Sequence, residues 1–122
     1  MASLRISAGN VSVEIELRDT PTARALAGKA PFESTASTWG DEVYFATPVK
    51  ARLEADAQQV VAPGTACFWT EGDAIALPFG RTPISTDERP KLANPCNVLG
   101  TFRNFQSLKS IKPGDRIRVE TA

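Results

Sequence analysis

The chain has 122 residues, 42% of them hydrophobic, with 14 Lys plus Arg balanced by 14 Asp plus Glu and no histidine. That length suits one domain spanning residues 1–122 and burying roughly two-thirds of its unfolded surface, and the even scatter of charge lacks the basic patch of a nucleic-acid binder. Without histidine there is no Ser-His-Asp or Cys-His catalysis and no imidazole acid–base chemistry; Cys67 and Cys96 cannot complete a zinc set, so neither metal nor cofactor is expected.

The first residues show no basic region leading into an apolar one, and no stretch approaches the ~18 apolar residues of a membrane span. A cytoplasmic protein with no membrane partner and two reduced thiols is expected. In chain order, Leu4, Ile6 and Ala8, then Val11, Val13, Ile15 and Leu17, alternate with polar residues on either side of Gly9-Asn10. That pattern predicts a β-hairpin with a II′ turn. Thr20 as cap, Pro21 at the first helical position and the Ala and Leu residues that follow predict a short helix over 21–27.

Val43, Phe45, Thr47 and Val49 alternate with Glu42, Tyr44, Ala46 and Pro48, a strand reaching at least Ala46. "ARLEADAQQVV" fits helix and strand equally. "TACFWTEGDAIALPFG" predicts a hairpin turning at Glu71-Gly72-Asp73, with Ile75, Leu77 and Phe79 on one face. Pro83, Pro90 and Pro95 predict a long surface loop over 81–95, and "NVLGTF", a helical "FQSLKSI", the turn in "IKPGD" and the strand "RIRVE" complete the chain. Seven or eight strands with one or two short helices make the chain mainly β, with a closed β-barrel expected.

The densest chemistry lies in "STASTWGDEVYF", residues 34–45. Here Ser34, Thr35, Ser37 and Thr38 either serve a polar ligand or satisfy local backbone, and Trp39 is either a pocket wall or a lid. Asp41 and Glu42 are adjacent, so in an extended chain they point to opposite sides. They are not a carboxylate dyad; a turn residue followed by a solvent-facing strand residue is expected. Tyr44 leaves the face shared by Val43 and Phe45. Phe79 is either core or pocket floor, and Cys96 has no activating base, so an inert thiol is expected.

The blocks "VSVEIELRDTPTARALAGKAPF", "AIALPFGRTP" and "NVLGTFRNFQSLKSI" together resemble the cyclophilin fold. The combination of "TPTARAL", "PFESTASTWGDEVYF", "ALPFGRTP" and "NVLGTF" resembles still more closely a family of short prokaryotic cyclophilin-like proteins whose activity is largely unassigned. The resemblance implies a cyclophilin-like barrel with a cleft over the Phe79 strand. It also brings out two departures. The catalytic arginine of true cyclophilins would fall near "GDEVYF", yet no Arg occurs between Arg24 and Arg52, and their pocket histidine is replaced by Cys96.

Prolyl isomerisation must lower a barrier of ~18–20 kcal/mol, and a donor aimed at the amide nitrogen is one means of doing so. Arg81, beside the Phe79 floor, and Arg89, in the long loop, are the candidates to replace it, and neither is the favoured reading. The reading is therefore a cleft for a small molecule or peptide, bounded by the 34–42 loop and the 81–95 loop over the Phe79 strand. Its expected residues are Thr38, Trp39, Asp41, Glu42, Tyr44, Phe79, Arg81, Thr82 and Cys96. An altered peptidyl-prolyl isomerase is the alternative.

Overall fold

The computed structural model describes residues 2–122. Its strands are β1 (Ser3–Ala8), β2 (Val11–Leu17), β3 (Phe32–Thr35), β4 (Ser37–Thr38), β5 (Glu42–Ala46), β6 (Gln58–Val60), β7 (Thr65–Trp69), β8 (Ala74–Pro78), β9 (Lys91–Phe102) and β10 (Arg116–Thr121). One α-helix, α1 (Pro21–Lys29), and a 3-10 helix at Phe105–Ser110 complete it. No helix among the described residues is long and apolar enough to cross a membrane.

The opening alternation folds as expected. β1 and β2 pair antiparallel from Ser3↔Glu16 to Ala8↔Val11, and Gly9 takes the positive φ of 60° that the first turn position requires. Thr20 caps α1 by accepting a hydrogen bond from Ala23 N (3.2 Å), and Pro21 opens the helix where its missing N–H costs nothing. The helix runs two residues beyond the expected Ala27, to Lys29.

All pairings are antiparallel, and the strand order is β3-β10-β1-β2-β9-β7-β8-β5-β4, with β6 added beside β9. The two ends of that order, β3 and β4, are consecutive in the chain and separated by Ala36 alone. Ala36 N donates to Asp115 O (2.8 Å) and Ala36 O accepts from Gly114 N (2.9 Å), so the chain changes partner at this residue, from β10 to β5. Among the described residues no ladder joins β3 to β4. The sheet is thus not closed by hydrogen bonds, which corrects the expectation of a closed barrel.

Two further expectations change. Lys91–Pro95, predicted as loop, begins the twelve-residue strand β9. Pro95 is tolerated because the β6–β9 register is irregular between Gln58↔Cys96 and Val60↔Lys91, where no regular ladder demands its absent N–H. The ambiguous "ARLEADAQQVV" is neither one helix nor one strand: it is irregular until β6 starts at Gln58.

Burial divides the strands by parity. Val43 and Phe45 of β5, Ala66 and Phe68 of β7, Ile75 and Leu77 of β8 and Leu99 of β9 join the main core, which α1 also covers through Ala23 and Leu26. Their neighbours Tyr44, Cys67, Trp69, Ala76, Leu92 and Cys96 pack into a second, smaller apolar cluster. Because successive strand residues face opposite ways, this cluster lies on the other face of the same four strands. β2 and β9 approach so closely that a Cβ on Gly100 would sit 1.8 Å from Glu16 O; only glycine fits there.

Candidate ligand-binding cleft

The second cluster does not close over itself. It opens into a cavity of about 300 Å³, at the small end for ligand sites. Three aromatic rings, Trp39, Tyr44 and Trp69, form its walls, Ala76, Leu92 and Ala93 supply aliphatic surface, and Glu42 and Cys96 bring the polar atoms.

Local sequence explains each placement. Glu42 and Tyr44 share one face of β5, two residues apart, while Val43 between them enters the core. Trp39 is brought beside them by the tight turn after β4, in which its N–H donates to Glu42 O (3.0 Å). Trp69 ends β7 and meets Tyr44 edge to face, with centroids 6.4 Å apart and planes at 87°. Its Nε1 donates to Asn94 Oδ1 (3.0 Å), and Gly72 makes room for the ring, since a Cβ there would lie 2.4 Å from Trp69 Cε3.

Glu42 is the exceptional group. It is only 6% exposed, although its place in the alternation predicted a solvent-facing residue; the outer face of β5 is covered by the aromatic walls and by β9. Its Oε1 is buried and has no hydrogen-bond partner among the described residues. Loss of hydration pushes its pKa up to about 7. Burial also raises both thiols, Cys96 to about 12 and Cys67 further, with Glu42 adding to each shift. Cys96 Sγ–H donates to Asn94 O (3.2 Å), and both cysteines are free and buried, so each is a neutral thiol.

The nine expected site residues separate into three groups. Trp39, Glu42, Tyr44 and Cys96 meet in the cleft. Thr38, Asp41 and Phe79 line a different hollow of about 230 Å³, with Phe79 largely taken into the main core and the Asp41 carboxyl lying against Gly80. Thr82 is buried as a loop fastener: its Oγ1 donates to Lys91 O (2.5 Å) and its N–H to Ser85 Oγ (2.9 Å). Arg81 is exposed beside Glu88 and donates to Ser85 O (3.3 Å), while Arg89 pairs with Asp87 (2.7 Å). Neither guanidinium lines the cleft.

Sequence reasoning passed over Trp69 and the β9 residues Leu92–Asn94. The available signal was parity in "TACFW", which puts Trp69 on the side of Cys67 and away from Phe68. A larger hollow of about 870 Å³ lies between α1, β2 and β9, but its Arg18 is already held by Asp56 (2.6 Å) and Val98 O (3.3 Å). It presents no unmet polar group comparable with Glu42. Among the described residues, no three His, Cys, Asp or Glu side chains cluster as a metal site would need.

The sequence profile of the family described as Cyclophilin-like matches residues 2–120. The chain belongs to the cyclophilin-like family. Among solved structures, this cyclophilin-like chain is similar to the hypothetical protein AF2241 from Archaeoglobus fulgidus, determined in solution. The two are 40% identical with a TM-score of 0.86, over 99% of this chain and 95% of that one. No curated protein matches it.

Proposed function

We propose that this cyclophilin-like domain binds a small molecule or the side chain of a peptide in the cleft walled by Trp39, Tyr44 and Trp69. The observation that carries this reading is the buried, unpartnered Oε1 of Glu42. An unsatisfied buried polar atom costs on the order of 1–3 kcal/mol, and such groups persist where a ligand supplies the missing partner. Aromatic walls around one polar anchor are the usual composition of a small-ligand site. Arg81 and Arg89 are both engaged on the surface loop, and among the described residues no guanidinium lines the cleft to assist rotation about a prolyl amide.

The test is a panel of small fragments and Xaa-Pro peptides followed by NMR, with Trp39→Ala alongside and a true cyclophilin as positive control. Saturable shifts at Trp39, Tyr44 and Trp69 without faster cis/trans exchange are expected, and both shifts and binding should be lost in the variant. Accelerated exchange that disappears in Trp39→Ala would overturn the binding-only reading.

A further inference from the structure

The composition of the cleft selects among ligand charges. A carboxylate or phosphate would meet the Glu42 carboxyl and the electron-rich faces of three aromatic rings, with no Lys or Arg lining the cavity among the described residues. A neutral carbonyl compound would find Trp69 Nε1 committed to Asn94 and would bring no donor for the unpartnered Oε1 of Glu42. A positive charge is favoured by the aromatic rings and by the desolvated carboxylate of Glu42, since cations are attracted to both. The cavity volume of about 300 Å³ suits a head group with a few methyl or methylene carbons, and Ala76, Leu92 and Ala93 give those carbons apolar contact.

We propose that the occupant is an organic ammonium, a protonated or methylated alkylamine head group held between the rings of Trp39, Tyr44 and Trp69 and paired with the carboxylate of Glu42. This rests on the binding reading above and specifies its ligand class. An N–H of a protonated amine would donate to the Glu42 carboxylate; a fully methylated one would pair with it by charge alone.

Binding then releases up to one proton. The empty cleft holds Glu42 partly protonated near neutrality, and an arriving cation favours the ionised form, so the carboxyl proton passes to solvent. The groups that face Glu42 do not mask this exchange. The Cys67 thiol on β7 and the Cys96 thiol on β9 are held neutral by burial, and the Tyr44 phenol shares its strand. β8 contributes Ala76, Asp41 lies against Gly80, and Glu71, in the β7–β8 turn, acts on Cys96.

The chain's two tryptophans both line the cleft, so intrinsic fluorescence reports this site alone. The probes are choline and its uncharged carbon isostere dimethylbutanol, each titrated into the full chain at constant ionic strength. Choline should perturb the emission saturably, with the isostere about tenfold weaker or more. Its affinity should rise by about tenfold in total over the pH range just below about 7 and then level. Glu42→Gln, with its fold verified by near-UV circular dichroism, should weaken choline about tenfold and abolish the pH dependence, and Trp39→Leu should weaken it at every pH.

Equal or tighter binding of the isostere, or affinity that falls as pH rises, would overturn the ammonium assignment and leave a cleft for neutral acceptors. Silence towards both probes, with the fragment and peptide panel still registering at Trp39 and Trp69, would do the same. Silence towards the probes and the panel together would overturn the binding reading as well.

Discussion

Two buried polar side chains, Asn97 and Glu42, show how differently the fold treats such groups. Asn97, fully buried, has every partner it needs: Nδ2 donates to Thr22 Oγ1 (3.0 Å) and Arg52 O (2.8 Å), and Oδ1 accepts from Glu54 N (2.7 Å). Thr22 Oγ1 in turn donates to Glu54 Oε2 (2.6 Å). This network ties β9 to the start of α1 and to the 52–54 segment. Glu42 is nearly as buried, yet its Oε1 meets no partner among the described residues. Hydrogen-bonding capacity is consumed by architecture in the first case and left unused in the second.

Breaking the satisfied side should have the largest effect. Asn97→Ala removes three hydrogen bonds at once, leaving Glu54 N and Arg52 O without their partner while Thr22 Oγ1 keeps Glu54 Oε2, and a loss on the order of 3 kcal/mol is expected in chemical denaturation. A loss below about 1 kcal/mol would mean that water or local rearrangement replaces those bonds.

The opposite sign is expected at the unsatisfied side. Glu42 has a folded pKa raised from 4.5 to about 7, so the native state binds more protons than the unfolded chain between these values. Burial disfavours its ionised form relative to the protonated one. Stability should therefore fall as pH rises through that window. The advantage of Glu42→Gln over the native chain should grow by up to about 3 kcal/mol between its ends and then stay constant. Urea midpoints of the two proteins measured across pH check this, and parallel curves would contradict it.

Smaller changes grade the comparison. Thr22→Val removes one link of the Asn97 network and should cost about 1–2 kcal/mol, with the tryptophan emission of the cleft unchanged. Arg5→Ala breaks an ion pair with Glu14 (3.0 Å) in which both side chains are about half exposed, and it should shift stability by less than about 0.5 kcal/mol. That variant separates the effect of a buried polar contact from that of polar contact in general.

The sequence made some of this legible and hid the rest for identifiable reasons. The β1–β2 and β7–β8 hairpins and the start of α1 follow from alternation, Gly-containing turns and the Thr20-Pro21 cap, all local signals. The beginning of β9 is hidden because "NPC" reads as a turn, and only its irregular pairing with β6 makes Pro95 acceptable. Within the cleft, Trp39, Glu42, Tyr44 and Cys96 stood out as residues, but the burial of Glu42 did not. An acid alternating with core residues reads as solvent-facing until Trp69 and Leu92, 27 and 50 positions away, are seen to cover its face. Phe79 shows the converse: an aromatic in a recognisable block, placed by strand parity among core residues rather than in the cleft.

The central claim is that Glu42 is a desolvated, unpaired carboxyl at the base of an aromatic cleft. Its own titration tests this most directly, through the side-chain carboxyl carbon followed by NMR as pH is raised. A midpoint near 7 is expected in the free protein. A midpoint near 4.5, the value of an ordinary solvated glutamate, would show that water or a neighbouring donor already satisfies it and would contradict the account.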